Sequence, residues 1–149
     1  MKKTRKSNIY IIDACQSSRL ALKDFLESEL NCLILKESSC GIESLLDTKI
    51  FQADIILMDY QMLELFGLIT VKQHLQIFPS LKIILIAMHT EDIFLKELIE
   101  VGFKGCICKT DIHKNLGNAI SRVYKNQSFF PKKIKISTRT SSPIINLSK

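Results

Sequence analysis

Three side chains in this 149-residue chain stand where charge chemistry could be done: Asp13, Asp59 and Lys109 each follow a short apolar run, at residues 9–12, 55–58 and 105–108. If those runs are neighbouring strands of a parallel sheet, spaced about 4.8 Å apart, the two carboxylates meet at its carboxyl edge. Like charges that close destabilise one another unless something positive lies between them. Lys109 could reach in from one side. A hard divalent cation such as Mg²⁺, held by one or two carboxylates and water, could serve from the other. The plainer alternative is that Asp13 and Asp59 only cap loops and helix N-termini, as strand-end aspartates often do. Spacing alone does not choose between the two.

The elements that must position these groups follow from periodicity. Residues 9–12, 32–35, 55–59, 83–88 and 105–108 read as strands, and most are continuous apolar runs rather than alternating ones, as expected of strands covered on both faces. Between them lie helical stripes. Leu22, Phe25, Leu26 and Leu30 follow a cap expected at Ser17 or Ser18. Ile42, Leu45 and Leu46 mark a short helix opening near Gly41. Leu68, Val71, Leu75 and Phe78 give a third, stopped by Pro79. Ile93, Phe94, Glu97, Leu98 and Val101 form a fourth that ends at Gly102. Ile112, Leu116, Ile120 and Val123 form the last, from about residue 111 to 125. Strict β-α alternation implies an α/β fold with a parallel sheet and right-handed crossovers. The expected form is a doubly wound, flavodoxin-like five-stranded sheet of order 2-1-3-4-5 with five helices, its ligands outside the carboxyl ends of the strands.

Composition limits the function classes. Hydrophobic residues make up 46% and charged residues 24%, ordinary globular usage for one domain. No apolar run approaches the ~20 residues of a membrane helix, and no apolar segment follows the basic start as in a signal peptide, so a cytoplasmic protein is expected. The formal charge of +6 is carried by the ends: nine of the 21 basic residues lie before residue 7 or after residue 130, where there are no acids, leaving the body twelve against fifteen. A folded nucleic-acid binder carries its positive charge as a surface patch, and this body is mildly acidic. Cys106 and Cys108, with His89 or His113, make a zinc site conceivable. Two cysteines that close do not have usual zinc spacing, so reduced thiols acting as small hydrophobes are the better reading.

Residues 54–62, Asp-Ile-Ile-Leu-Met-Asp-Tyr-Gln-Met with Gly67 behind them, resemble the phosphoacceptor strand and loop of bacterial response-regulator receiver domains. Residues 9–13, 82–88 and 102–111 resemble that family's other blocks in order and spacing, closest to the NarL/FixJ (LuxR-type) branch. The resemblance covers about residues 8–130. It implies that Asp59 accepts a phosphoryl group from a histidine kinase or phosphotransfer protein, and that Lys109 pairs with the phosphoryl oxygens. It further implies that Asp13, Asp59 and the main-chain carbonyl of Gln61 hold Mg²⁺. Three departures mark a degenerate receiver. Ala14 replaces the second metal-binding acid, which weakens Mg²⁺ binding. Ala87 replaces the hydroxyl that reads the phosphoryl group, and Cys106 stands where the family often has an aromatic switch residue. Leu63 and Glu64 also replace a usual Pro and a common Gly.

The expected organisation is a basic arm over 1–7, a receiver domain over 8–128, and a polar, basic linker or tail over 129–149. The last residues, Asn146-Leu147-Ser148-Lys149, resemble the opening of a helix-turn-helix cut short, as in a piece or truncation of a longer transcription regulator. DNA would then be bound only through that further domain, and a homodimer is the expected assembly, with no membrane partner. The function implied is a phosphorelay switch rather than a turnover enzyme. Its output would be altered packing of the face made by the fourth helix, fifth strand and fifth helix. The alternative is a phosphorylation-independent pseudo-receiver acting as a protein-interaction module, which Ala14 and Ala87 motivate. His89 near the acceptor pocket, His74 and His113 on helices, and the pair Phe129-Phe130 packing the end of the last helix carry no catalytic expectation.

Overall fold

Buried runs of isoleucine and leucine make the central strands of this computed structural model, which describes residues 6–88 and 91–131, leaving aside the side chains of residues 42, 65, 66, 92 and 93. β1 (Asn8–Ile12), β3 (Ile55–Asp59) and β4 (Ile83–Ala87) are buried along nearly their whole length. β2 (Leu33–Ser38) and β5 (Gly105–Cys108) flank them. All pairings are parallel, as the alternation of elements implies, and the order is the expected β2-β1-β3-β4-β5. β2 runs three residues further than its apolar stretch because, as an outer strand, it also carries Lys36, Glu37 and Ser38.

Five α-helices join the strands: α1 (Gln16–Ser28), α2 (Gly41–Leu46), α3 (Tyr60–Ile77), α4 (Asp92–Val101) and α5 (Ile112–Tyr124). Short 3-10 turns cover Thr48–Gln52 and Lys109–Asp111. The two-residue alternation of the strands divides the core. Ile9, Ile11, Ile55, Leu57, Ile84, Ile86 and Ile107 face Leu22 and Leu26 of α1 and Leu116, Ile120 and Val123 of α5. Tyr10, Ile12, Ile56, Met58, Ile83, Leu85 and Cys106 face Val71 and Leu75 of α3 and Leu95 and Leu98 of α4. Burying each such side chain contributes about 1.5–3 kcal/mol, so the strands that carry the acidic residues are firmly held.

Two helix starts differ from expectation. α1 begins at Gln16, with Cys15 at its N-cap and no side-chain cap bond, so neither Ser17 nor Ser18 caps it. α3 begins directly after Asp59 rather than behind Gly67. Gly67 interrupts it at φ 83° and ψ 151°, a conformation open to glycine, and the regular stripe from Leu68 onward is only its second part.

The body continues past residue 128. Phe129 adds a single parallel rung to the free edge of β5: it accepts from the Cys106 N–H at 2.9 Å and donates to the Lys104 carbonyl at 3.0 Å. A Cβ on Gly105 would stand 3.0 Å from the Phe129 carbonyl, so a larger residue there would make this rung give by a few tenths of an ångström. Phe129 packs against the α1 and α5 side and Phe130 against the other. His89, residues 1–5 of the expected arm and residues 132–149 of the expected tail lie outside the described residues.

Candidate functional site

The parallel sheet brings the strand ends together as the spacing required. Asp59 is the last residue of β3, Asp13 follows β1, and Lys109 follows β5. Asp13 and Asp59 are 5% and 6% exposed, the only charged side chains so buried among the described residues. Lys109 Nζ reaches across β4 to lie 3.3 Å from Asp59 Oδ1. The other Asp59 oxygen accepts the Gln61 N–H at 3.0 Å, which makes Asp59 the N-cap of α3. Capping and ion pairing, posed as alternatives by the sequence, are both present on the same carboxylate.

Asp13 is fixed by its backbone as well. Its N–H donates to the Ser38 carbonyl at 2.9 Å, and its Oδ1 accepts the Cys15 N–H at 2.9 Å. Burial pushes its carboxyl above the usual aspartate range. The Cys15 N–H pulls it down, the Asp59 charge adds to the rise, and Lys109 and Arg19 oppose it. A carboxylate destabilised by its neighbour's charge is a fit for a small hard cation, and the donors here are all oxygen. Asp13, Asp59 and a main-chain carbonyl could therefore hold Mg²⁺. Ala14 offers no oxygen in its side chain. What Gln61 turns toward Asp59 is its N–H, its carbonyl lying within the first turn of α3.

Ala87 ends β4 opposite Cys108 and is 2% exposed, with no hydroxyl to offer the pocket. Cys106 is fully buried in the core facing α4, a small side chain with its thiol pushed up to about 12 by burial. Cys108 is half-buried, its thiol 3.5 Å from the Met88 carbonyl. Among the described residues no three His, Cys, Asp or Glu gather as metal ligands. His113 packs edge-on against Phe25 at 4.5 Å, on the opposite side of the sheet from Cys106. His74 packs against Phe78, its Nε2 buried without a partner.

One functional neighbour escaped the sequence reading. Arg19 on α1 donates from Nη1 to the Asp13 carbonyl at 2.7 Å and from Nε to Glu37 at 3.1 Å. Its place, at the end of the first turn of a helix and not at a strand end, gave no local signal.

Comparison with known proteins fits this geometry. The response regulator receiver domain profile matches residues 9–121. The chain belongs to the response-regulator receiver family. Such domains are signalling modules of two-component systems, and they bind Mg²⁺ at an acidic phosphorylation site. The response regulator UvrY of Escherichia coli is 25% identical over 122 residues, 82% of this chain and 56% of that protein. The response regulator protein VraR of Staphylococcus saprophyticus is 21% identical over 131 residues, 88% of this chain and 63% of its own length. This receiver chain thus spans 56–63% of the length of these relatives. In fold it is similar to a LuxR-family two-component response regulator from Aurantimonas sp. SI85-9A1, with a TM-score of 0.80 over 92% of this chain and 100% of that one at 18% identity. It is similar also to the isolated receiver domain of RcsB from Salmonella enterica serovar Typhimurium, with a TM-score of 0.79 over 91% and 100% at 19% identity. No helix among the described residues is long and apolar enough to cross a membrane.

Proposed function

We propose that this receiver accepts a phosphoryl group on Asp59 from a phosphohistidine of a cytoplasmic histidine kinase or phosphotransfer protein, as a switch and not a turnover enzyme. The observation that carries the reading is the buried Asp59 carboxylate held 3.3 Å from Lys109 beside a second buried acid. In the transfer, a carboxylate oxygen of Asp59 attacks phosphorus in line, the P–N bond to the donor imidazole breaks, and an aspartyl phosphate forms. Lys109 leaves one negative oxygen of Asp59 for the incoming phosphoryl oxygens, pairing with charge as it develops. The Gln61 N–H keeps the carboxylate oriented throughout. Asp13, Asp59 and the Gln61 main-chain carbonyl would hold Mg²⁺, which would supply the remaining charge neutralisation.

Because Ala87 has no hydroxyl and Cys106 no ring, the output depends on displacement of Lys109 and β5. The face made by α4, β5 and α5 is where that displacement would be read, by a homodimer partner or an effector. Regulation of transcription would follow through a helix-turn-helix domain outside this chain, as the length of the relatives supports.

The test is intact-protein mass after incubation with acetyl phosphate and Mg²⁺, beside an Asp59→Asn control. One phosphoryl adduct, absent from the control, is expected. A folded protein that takes no adduct would instead be a phosphorylation-independent interaction module.

A further inference from the structure

Asp13 is the one acidic side chain left in the turn between β1 and α1, since Ala14 follows it. With Asp59 it is one of two carboxylates left to hold a cation, so its orientation carries more weight. The structure shows an apparatus for fixing it that begins outside the turn. Arg19, its side chain 15% exposed, spans from the Asp13 carbonyl to Glu37 on β2. Glu37 is held in turn by Lys23 at 3.1 Å on its other oxygen. A planar guanidinium with donors in a rigid fork holds two acceptors at a set separation, which the rotatable ammonium of lysine on its flexible stem does not. The Asp13 main chain is thereby tied on both sides, to the Ser38 carbonyl through its N–H and to Arg19 through its carbonyl.

We propose that Arg19, oriented by Glu37, is a positioning residue that holds Asp13 in the geometry needed to bind a divalent cation. The inference rests on the reading of Asp13 and Asp59 as a cation site given above. Its sign separates it from simple electrostatics. A positive charge near a cation site opposes cation binding, so deleting Arg19 without any positioning effect would tighten binding. If Arg19 acts by fixing Asp13, deleting it must weaken binding despite that relief. Partners that orient metal ligands from outside the coordination sphere are worth tenfold or more in affinity.

The experiment is titration with magnesium chloride, followed by calorimetry and by the amide resonances of Asp13, Asp59 and Lys109, in wild type, Arg19→Ala, Arg19→Lys and Glu37→Gln. Arg19→Ala is expected to weaken Mg²⁺ binding roughly tenfold. Arg19→Lys, which keeps the charge and loses the fork, should weaken it by a similar factor, and Glu37→Gln by less. Unchanged or tighter binding in Arg19→Ala and Arg19→Lys, with amide spectra otherwise native, overturns the positioning role alone. If Arg19→Ala does not fold, Arg19→Lys decides by the same criterion. Wild type that binds no Mg²⁺ overturns the cation-site reading beneath it.

Discussion

Two aspartates of this domain sit in polar networks of opposite character. Asp47, after α2, is surrounded by donors: it accepts from Lys36, from the buried Tyr10 hydroxyl at 2.7 Å and from the Lys49 N–H at 3.0 Å. With Lys36 first and Tyr10 next, those bonds pull its carboxyl down to about 2. Asp13 is buried beside a second carboxylate, and its carboxyl is pushed up. Asp47 joins the helix layer to the sheet and is stabilised by everything around it. Asp13 is held in place by its backbone while its charge is left partly uncompensated. An acid that strengthens the framework and an acid kept ready for a cation differ in their donors, not in residue type.

Four substitutions probe that contrast. Lys109→Ala removes the cation shared with Asp59, and acetyl phosphate labelling should slow by about a hundredfold, as when an electrostatic stabiliser is lost from a reacting site. Intact mass against time measures it. Tyr10→Phe removes a donor to Asp47 and should cost about 1–2 kcal/mol in urea unfolding. Since the folded Asp47 carboxyl lies below its ordinary value, its contribution is present above about pH 4 and is lost as pH falls through about 2. Tyr10→Phe should therefore flatten the acid limb of stability against pH, and an unchanged limb would dissociate Asp47 from the framework.

Ala14→Asp returns a second acid to the turn after β1 and should tighten Mg²⁺ binding about tenfold in calorimetry. Asp13→Asn has the smallest effect and the opposite sign to Tyr10→Phe, a gain of about 0.5 kcal/mol at neutral pH, as expected when a site acid is neutralised. A raised folded value means the folded state holds the proton more tightly, so Asp13 costs stability as pH rises past the ordinary carboxylate range. The gain in Asp13→Asn should accordingly vanish on acidification below that range. Loss of stability at neutral pH would place Asp13 with Asp47.

The strands were readable because burial on both faces forces unbroken apolar runs. β3 ended at Asp59 and β5 spanned 105–108 as the runs implied. β2 was not readable to its end, since an outer strand can spend its last residues on Lys36, Glu37 and Ser38. Nor was the start of α3, because Gly67 looks like the end of a loop when it is a break within a helix. Of the site, Asp13, Asp59 and Lys109 were legible because strand ends converge at one edge of any sheet of this order. Arg19 and the Tyr10–Asp47 pair were not: each partner lies on a different element, and local periodicity carries no information about which distant polar groups will meet.

The rung that Phe129 adds to β5 also settles what the sheet can do to its neighbours. A parallel ladder continued along that edge would next need an N–H from residue 131 and an acceptor in the Cys106 carbonyl, and residue 131 is proline. The ladder is thus one rung long at Phe129, and its next bond, at the Cys106 carbonyl, has no donor in Pro131. A domain cut just before Phe129 would leave the Cys106 N–H and the Lys104 carbonyl open on an exposed strand, a template for sheet-to-sheet pairing that one residue, five positions past the end of α5, occupies.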